Sequence, residues 1–444
     1  MPPRSTTCAD ERYDGSLSAP EGGGSRATDA LSGLNTKEPS SATCGQLSIA
    51  RTPVAPLLSK PRFGMRLDAP GRRMTQGLLR LSMLSTCARV SCWVLAVAVA
   101  LLGSAVRGQA DLFEAAKEGS VEEVRAALEA GADVNAQDDL FLSMPPLMHA
   151  ARRNPNPDVV RVLLDAGAEL EARDWLWGMT SLAHAAWSND NPDVVRLLLD
   201  AGADLNARDE FSDATPLHMA GHNENPDAVR ALLDAGADLE ARDENGNTPL
   251  IIAARWNQNP DVVRVLLDAG ANVNARNKRG VSPLIYAARW NQNPDVVRLL
   301  LDAGADLEAR DENGNTPLMH AALRNQSPDV VRLLLDAGAN LEARGSQRWT
   351  PLMMAAGYNQ NPQVVRALLD AGAELEARGE GGSTALIAAA WLSENPEVVP
   401  VLLDAGADAN ARTRDRRRAI DYARENEYLR GTDEYWQLHD AGFD

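Results

Sequence analysis

Beyond Cys92 the chain contains no cysteine. All four (Cys8, Cys44, Cys87 and Cys92) fall in the first quarter of its 444 residues, so the remainder has no disulfide and no thiol for redox chemistry. Stability there must come from apolar packing. The sequence also lacks a Gly-rich phosphate loop, a Cys-x-x-Cys pair and a nucleophile elbow, which leaves no motif for an enzyme to be built on. Positive charge is scarce where it would matter. Residues 1–110 hold 13 Lys/Arg against 7 Asp/Glu, so the chain's net −18 leaves −24 on residues 111–444. A surface so acidic repels phosphate backbones, which argues against nucleic acid and for a basic partner. Long hydrophobic runs are missing too. The longest, Val90 to Val106, is 17 residues, short of the roughly 20 that span a bilayer.

What the chain has is repetition. A Leu-Asp-Ala-Gly-Ala string, or a close variant, recurs with glycines at Gly131, Gly167, Gly202, Gly236, Gly270, Gly304, Gly338, Gly372 and Gly406. The steps are 36, 35, and then 34 six times running. A fixed period of this length means a stack of one supersecondary unit, each copy touching its neighbours. Such stacks present surface for binding rather than a pocket for chemistry.

One unit illustrates the local logic. Thr248 can cap a helix and Pro249 suits its first position. Leu250, Ile251, Ala253 and Ala254 then give a short apolar helix, and Asn257-Gln258-Asn259 a polar link. The start signal recurs as Asn259-Pro260-Asp261, after which Val262, Val263, Leu266 and Leu267 share one helical face. Gly270 ends that helix, because a left-handed terminal residue is cheap only for glycine. An extended finger leads to the next copy; in two copies its tip is Asp-Glu-Asn-Gly-Asn (Asp243–Asn247 and Asp311–Asn315), a tight-turn sequence.

Thr215-Pro216-Leu217-His218-Met219-Ala220, together with the Asp-Ala-Gly-Ala-Asp helix end, resembles the ankyrin repeat. The resemblance runs from about Asp111 to Asp444, with one residue more per copy than the usual 33. It implies an all-α repeat solenoid: an array of about ten helix-turn-helix units with β-turn fingers, closed by N- and C-terminal capping repeats. It also implies a non-enzymatic protein-binding scaffold that needs no cofactor or metal and meets its partner at the finger tips and the concave helix face.

The preceding sequence has a different character. Residues 1–73, rich in Pro, Gly, Ser and Thr without hydrophobic period, read as a disordered or mis-called upstream extension. Residues 74–110 read as a signal peptide: basic Arg80 and Arg89, an apolar core, then small residues ending at Ala110, directly before the first repeat at Asp111. Met83 to Ala110 is 28 residues, a normal signal length. Cleavage near Ala110 would place residues 111–444 outside the cytoplasm, periplasmic or secreted. Retention of residues 90–106 as a single anchor is the alternative, and the only route to a membrane.

Two groups of side chains stand out as candidates for the partner. The N-terminal fingers are long and apolar, with Leu140, Phe141 and Leu142 in one, Trp175, Leu176 and Trp177 in the next, and Phe211 in a third. They read as a docking strip, or as fingers folded back to bury their own aromatics. At the ends of first helices stand Trp187, Trp256, Trp290, Tyr358 and Trp391, with Arg255 and Arg289 beside two of the tryptophans. Identical Trp-Asn-Gln-Asn-Pro strings at Trp256 and Trp290 favour packing of the enlarged link over contact with a partner. His218 and His222, four apart, could share a metal, but Met219 stands where a metalloprotease-like motif needs Glu, so structural histidines are expected. His149, His184 and His320 share another register and read as groove or packing residues. The final finger carries a basic run, Arg412 to Arg418, that reads as a solvated cap. Pro400 replaces the mid-helix arginine of other copies, a change expected to cost about 3 kcal/mol and loosen the last repeats. An inhibitor or protector of one extracytoplasmic enzyme, and a secreted effector binding a host protein, are the alternative functions.

Overall fold

A computed structural model describes residues 109, 111–138 and 143–442. The expected extension over 1–73 and the signal segment over 74–110, Gln109 apart, lie outside the described residues. The described residues hold α-helices and no strand, and no helix among them is long and apolar enough to cross a membrane.

The helices alternate between two rows. First-row helices such as Pro249–Trp256, Pro283–Trp290 and Pro317–Arg324 are eight residues long, and second-row helices such as Pro260–Asp268 and Pro294–Asp302 are nine. Local signals set these lengths. The Thr248 hydroxyl accepts from the Ile251 N–H and Pro249 takes the first position, while Asn257, in extended conformation, stops the helix. The Asn259 side chain then accepts from Asp261 N–H at 3.0 Å to start the second. At its end Gly270 has φ +93°, and Ala271 N–H reaches back to the Leu266 carbonyl at 3.0 Å. A Cβ at Gly270 would meet nothing within 4 Å, so its backbone angle, not space, demands glycine. On the buried face Val265 joins Val262, Val263 and Leu266; Leu267 is only partly buried, a correction to the pattern expected from sequence.

Each helix packs on its counterpart in the next repeat, and one apolar cluster runs from Leu112 to Leu438. The polar residues of the repeat are spent on the same joints. Asn154, Asn189, Asn223, Asn257, Asn291, Asn325 and Asn359 follow successive first-row helices and are buried. Asn291 is typical: its side-chain amide donates to the carbonyls of Ala254 (3.0 Å) and Asn257 (2.8 Å) in the preceding repeat, and its oxygen accepts from Asn293 N–H (2.9 Å). A second, exposed asparagine ladder lies two residues on, where Asn293 donates to Gln258 O at 2.8 Å. Along the fingers an arginine ladder does likewise: Arg242 donates to Arg276 O (2.8 Å), Arg276 to Arg310 O (2.6 Å) and Arg310 to Arg344 O (3.0 Å). Adjacent fingers are also joined by backbone bonds such as Lys278 N–H to Asn245 O, 2.9 Å.

The buried asparagine ladder breaks once. Ser393 takes that position, and its hydroxyl donates to Asn395 O (2.9 Å) instead of across the boundary. The helix that follows is Val398–Asp404, seven residues rather than nine. Pro400 accounts for the shortening and thereby corrects the expected mid-helix defect. Val399 N–H bonds to Pro396 O at 3.0 Å, a tighter turn, and the α-helix begins only at Val398. Pro400 thus falls in the first turn, where a missing N–H costs nothing.

Candidate docking face

The N-terminal fingers are each organised around one carboxylate at the base, such as Asp174 and Asp209. Asp174 accepts from the backbone N–H groups of Leu176 (3.0 Å), Trp177 (2.7 Å) and Met179 (3.2 Å), and from His184 Nε2 at 3.0 Å. Burial alone would raise the Asp174 carboxyl, but these hydrogen bonds outweigh it and hold the group below the usual carboxylate range. Asp209 holds the next finger through Phe211 N–H (2.9 Å), Ser212 N–H (2.6 Å) and Ala214 N–H (3.0 Å). These Asx-type turns fix the backbone that carries Trp175, Leu176, Trp177 and Phe211.

The fingers resolve the two sequence readings differently from residue to residue. Trp175 is 73% exposed and Phe211 61%, so both present their rings outward. Trp177 folds back: its ring meets Trp187 edge to face at 5.6 Å, joining finger to first-row helix. Leu176 is half-buried. Leu140, Phe141 and Leu142 lie outside the described residues.

The first-row helix ends form a second feature. Trp256 and Trp290 remain exposed. The Arg255 guanidinium lies over Trp256 at 4.4 Å, over Tyr286 at 4.9 Å and near Trp290 at 6.0 Å, and Arg289 lies over Trp290 at 5.0 Å. Each such contact is worth about 0.5–2 kcal/mol. The rings therefore form a cation–aromatic staircase over adjacent repeats, extended at one end by His222 against Trp256. Trp187 carries Arg152 at 5.3 Å. Tyr358 and Trp391 do not join the staircase; they are half-buried against Trp349 and Tyr422. Burial raises the Tyr358 phenol, with Arg324 opposing.

The histidines serve the frame. His149, His184 and His320 bond through Nε2 to Asp138, Asp174 and Asp311 of their own fingers at 2.7, 3.0 and 2.9 Å. His218 Nδ1 accepts from Thr215 N–H at 3.2 Å, and its Nε2 reaches Asn247 O of the next finger at 3.0 Å. Both His218 nitrogens are thereby engaged within the protein, and His222 faces Trp256 rather than sharing a ligand with it. Among the described residues no cluster of three His, Cys, Asp or Glu could hold a metal ion. Burial is the main cause lowering the imidazole pKa of His149, His184 and His218.

The sequence reading passed over Trp349, which is buried against the first-row helix Pro351–Tyr358 and the next finger. A Cβ added at Gly379 or Gly357 would come within 3.3–3.4 Å of its ring. Gly357, in the helix that Trp349-Thr350-Pro351 opens, and Gly379, in the following finger, were the available signal.

The two-row geometry, the left-handed glycine at each second-helix end and the finger turns are those the Thr-Pro-Leu-His string led one to expect. Ankyrin repeats match over residues 112–209, 208–277, 270–345 and 342–413. No curated protein matches the chain. With matches spanning residues 112–413 of its 444 residues, the chain belongs to the ankyrin-repeat family.

Proposed function

We propose that this protein is an exported, non-enzymatic scaffold that captures one protein partner, docking it on the N-terminal fingers with help from the first-row helix ends. Ankyrin repeats are generally protein–protein interaction modules, and the observation that carries the finger assignment is the outward exposure of Trp175 and Phe211 on rigid, Asp-anchored turns. Aromatic rings held on preorganised loops supply large contact area at small entropic cost. The repeated carboxylates support the same reading from the other side. Second-row Asp residues pair with Arg three positions on, as in Asp295–Arg298 (3.2 Å), and form a solvated outer face rather than an acid–base site.

Export rests on the signal-like layout of residues 74–110 alone. Expression in a bacterial host, fractionation and N-terminal sequencing test it. The expected mature terminus is near Asp111 in the soluble extracytoplasmic fraction; an intact 90–106 segment in membranes would make the array a tethered one. Trp175→Ala with Phe211→Ala is expected to weaken partner capture about tenfold or more. Unchanged capture by a normally folded double variant would remove the fingers from the interface.

A further inference from the structure

His184 is fully buried, and partner capture by exposed aromatics makes no use of it. Its Nε2 reaches Asp174 Oδ2 at 3.0 Å, and its Nδ1 has no hydrogen-bond partner among the described residues. The neutral ring therefore donates from Nε2 and keeps a dry lone pair on Nδ1. A proton added at Nδ1 would be a donor with nothing to bond, which a buried site disfavours. The turn itself does not need the imidazole. Asp209 holds the next finger through backbone N–H groups and the Ser212 hydroxyl (2.8 Å), with Met219 at the histidine's register. Ile252, Tyr286, Met354 and Ala388 take that register in other repeats. Two rings tie His184 to its finger. Trp187, one turn on, lies 6.5 Å from the imidazole and carries Trp177 edge to face at 5.6 Å. Lifting the finger parts that aromatic pair and removes Asp174, which opens the imidazole to water.

We propose that the Asp174–His184 pair is an acid-released latch on the finger bearing Trp175, Leu176 and Trp177, so that a protein docked there is let go when its surroundings acidify. The release rests on the docking reading above. Facing His184 are Asp174 of its own finger, Arg152 of the preceding first-row helix, stacked on Trp187 at 5.3 Å, and His149 of that same helix. Arg153 and the second-row residues Asp193, Arg196 and Asp200 are exposed. On the other side, the helix Pro216–Ala220 has His218 as its one titratable residue, already engaged with Thr215 and Asn247. Burial lowers the His184 imidazole below its ordinary 6.5, against the hydrogen bond and charge of Asp174, and Arg152 pushes the same way as burial. The closed finger therefore binds fewer protons than the open one. It is fully held above about pH 7 and gives way below it, its opening constant rising up to about tenfold per pH unit. His149 on Asp138, at 2.7 Å, repeats the pair one finger back.

Hydrogen exchange on the full-length chain reads the latch through the Leu176, Trp177 and Met179 amides that Asp174 holds. Between about pH 7.5 and 5.5, after correction for the pH dependence of chemical exchange, their opening constants should rise about tenfold. The finger at 277–281, where Tyr286 replaces the histidine, should change less than about twofold. His184→Met, which copies Met219 of the next repeat, should flatten the response at 174–179. A finger at 174–179 no more acid-sensitive than 277–281 overturns the latch, as does an unchanged response in His184→Met. If that variant folds poorly, the comparison of the two fingers in the unaltered chain decides. Release is read by a photoreactive residue placed at Trp175. The adduct formed at the higher pH should be lost at the lower, and should persist there with His184→Met. An adduct equal at both pH values in the unaltered chain overturns release and leaves docking standing. No adduct at either overturns docking, while the exchange data still decide the latch.

Discussion

Replacing Asn291 with alanine should destabilise the centre of the array far more than replacing Asn293, although the two asparagines are two residues apart. The Asn291 side chain is fully buried and makes three hydrogen bonds, to Ala254 O, Asn257 O and Asn293 N–H. At about 0.5–1.5 kcal/mol each, their loss comes to roughly 3 kcal/mol, and carbonyls left dry add to it. Asn293 makes two, to Gln258 O and Asp295 N–H, where water can replace the side chain. Its loss is that of an exposed cap, about 1 kcal/mol. Because repeat arrays need not unfold in one step, the readout is local: hydrogen exchange of peptides covering residues 249–302, with the urea midpoint as a global companion. Asn291→Ala should lower the opening free energy there by about 2 kcal/mol more than Asn293→Ala. Equal effects, or a loss below about 1 kcal/mol for Asn291→Ala, would refute the view that buried amides hold the joints.

The gap in the ladder at Ser393 and the shortened helix Val398–Asp404 predict that residues 398–442 exchange earliest among the repeats. Ser393→Asn should restore the rung and slow that exchange; protection uniform along the array would contradict this. Acid should weaken the fold well above the carboxylate range. His149, His184 and His218 have folded-state pKa values below the ordinary 6.5, so the unfolded chain binds more protons as pH falls through 6.5. Stability is then full above about pH 7 and lost below it, by up to about 1.4 kcal/mol per pH unit for each histidine. Urea midpoints flat from pH 7 to 5 would show that these imidazoles titrate alike in both states.

Much of the fold was legible because it is written many times over. Thr248, Pro249, Asn259, Pro260 and Gly270 each carry a backbone instruction that acts within a few residues, and the structure places all five as those instructions require. The link asparagines were visible as a polar string, but their partners sit 34 to 37 residues away, a distance that local rules do not reach. Pro400 misled for a related reason: the expected helix frame was taken from neighbouring copies, whereas the helix moved its start to accommodate the ring. For the candidate site, exposure separated Trp175 from Trp177 although the two are next-but-one neighbours. Only the contact with Trp187 tells them apart, and that contact depends on how a finger lies over a helix.

Site-specific photo-crosslinking in a native-like host tests the central claim most directly. A photoreactive residue is placed at Trp175, at Phe211, or on the outer face at Arg298, each in the full-length chain. A docking face on the fingers predicts one and the same adduct from Trp175 and Phe211, and none from Arg298. Adducts that form equally from all three positions, or from Arg298 alone, would contradict it.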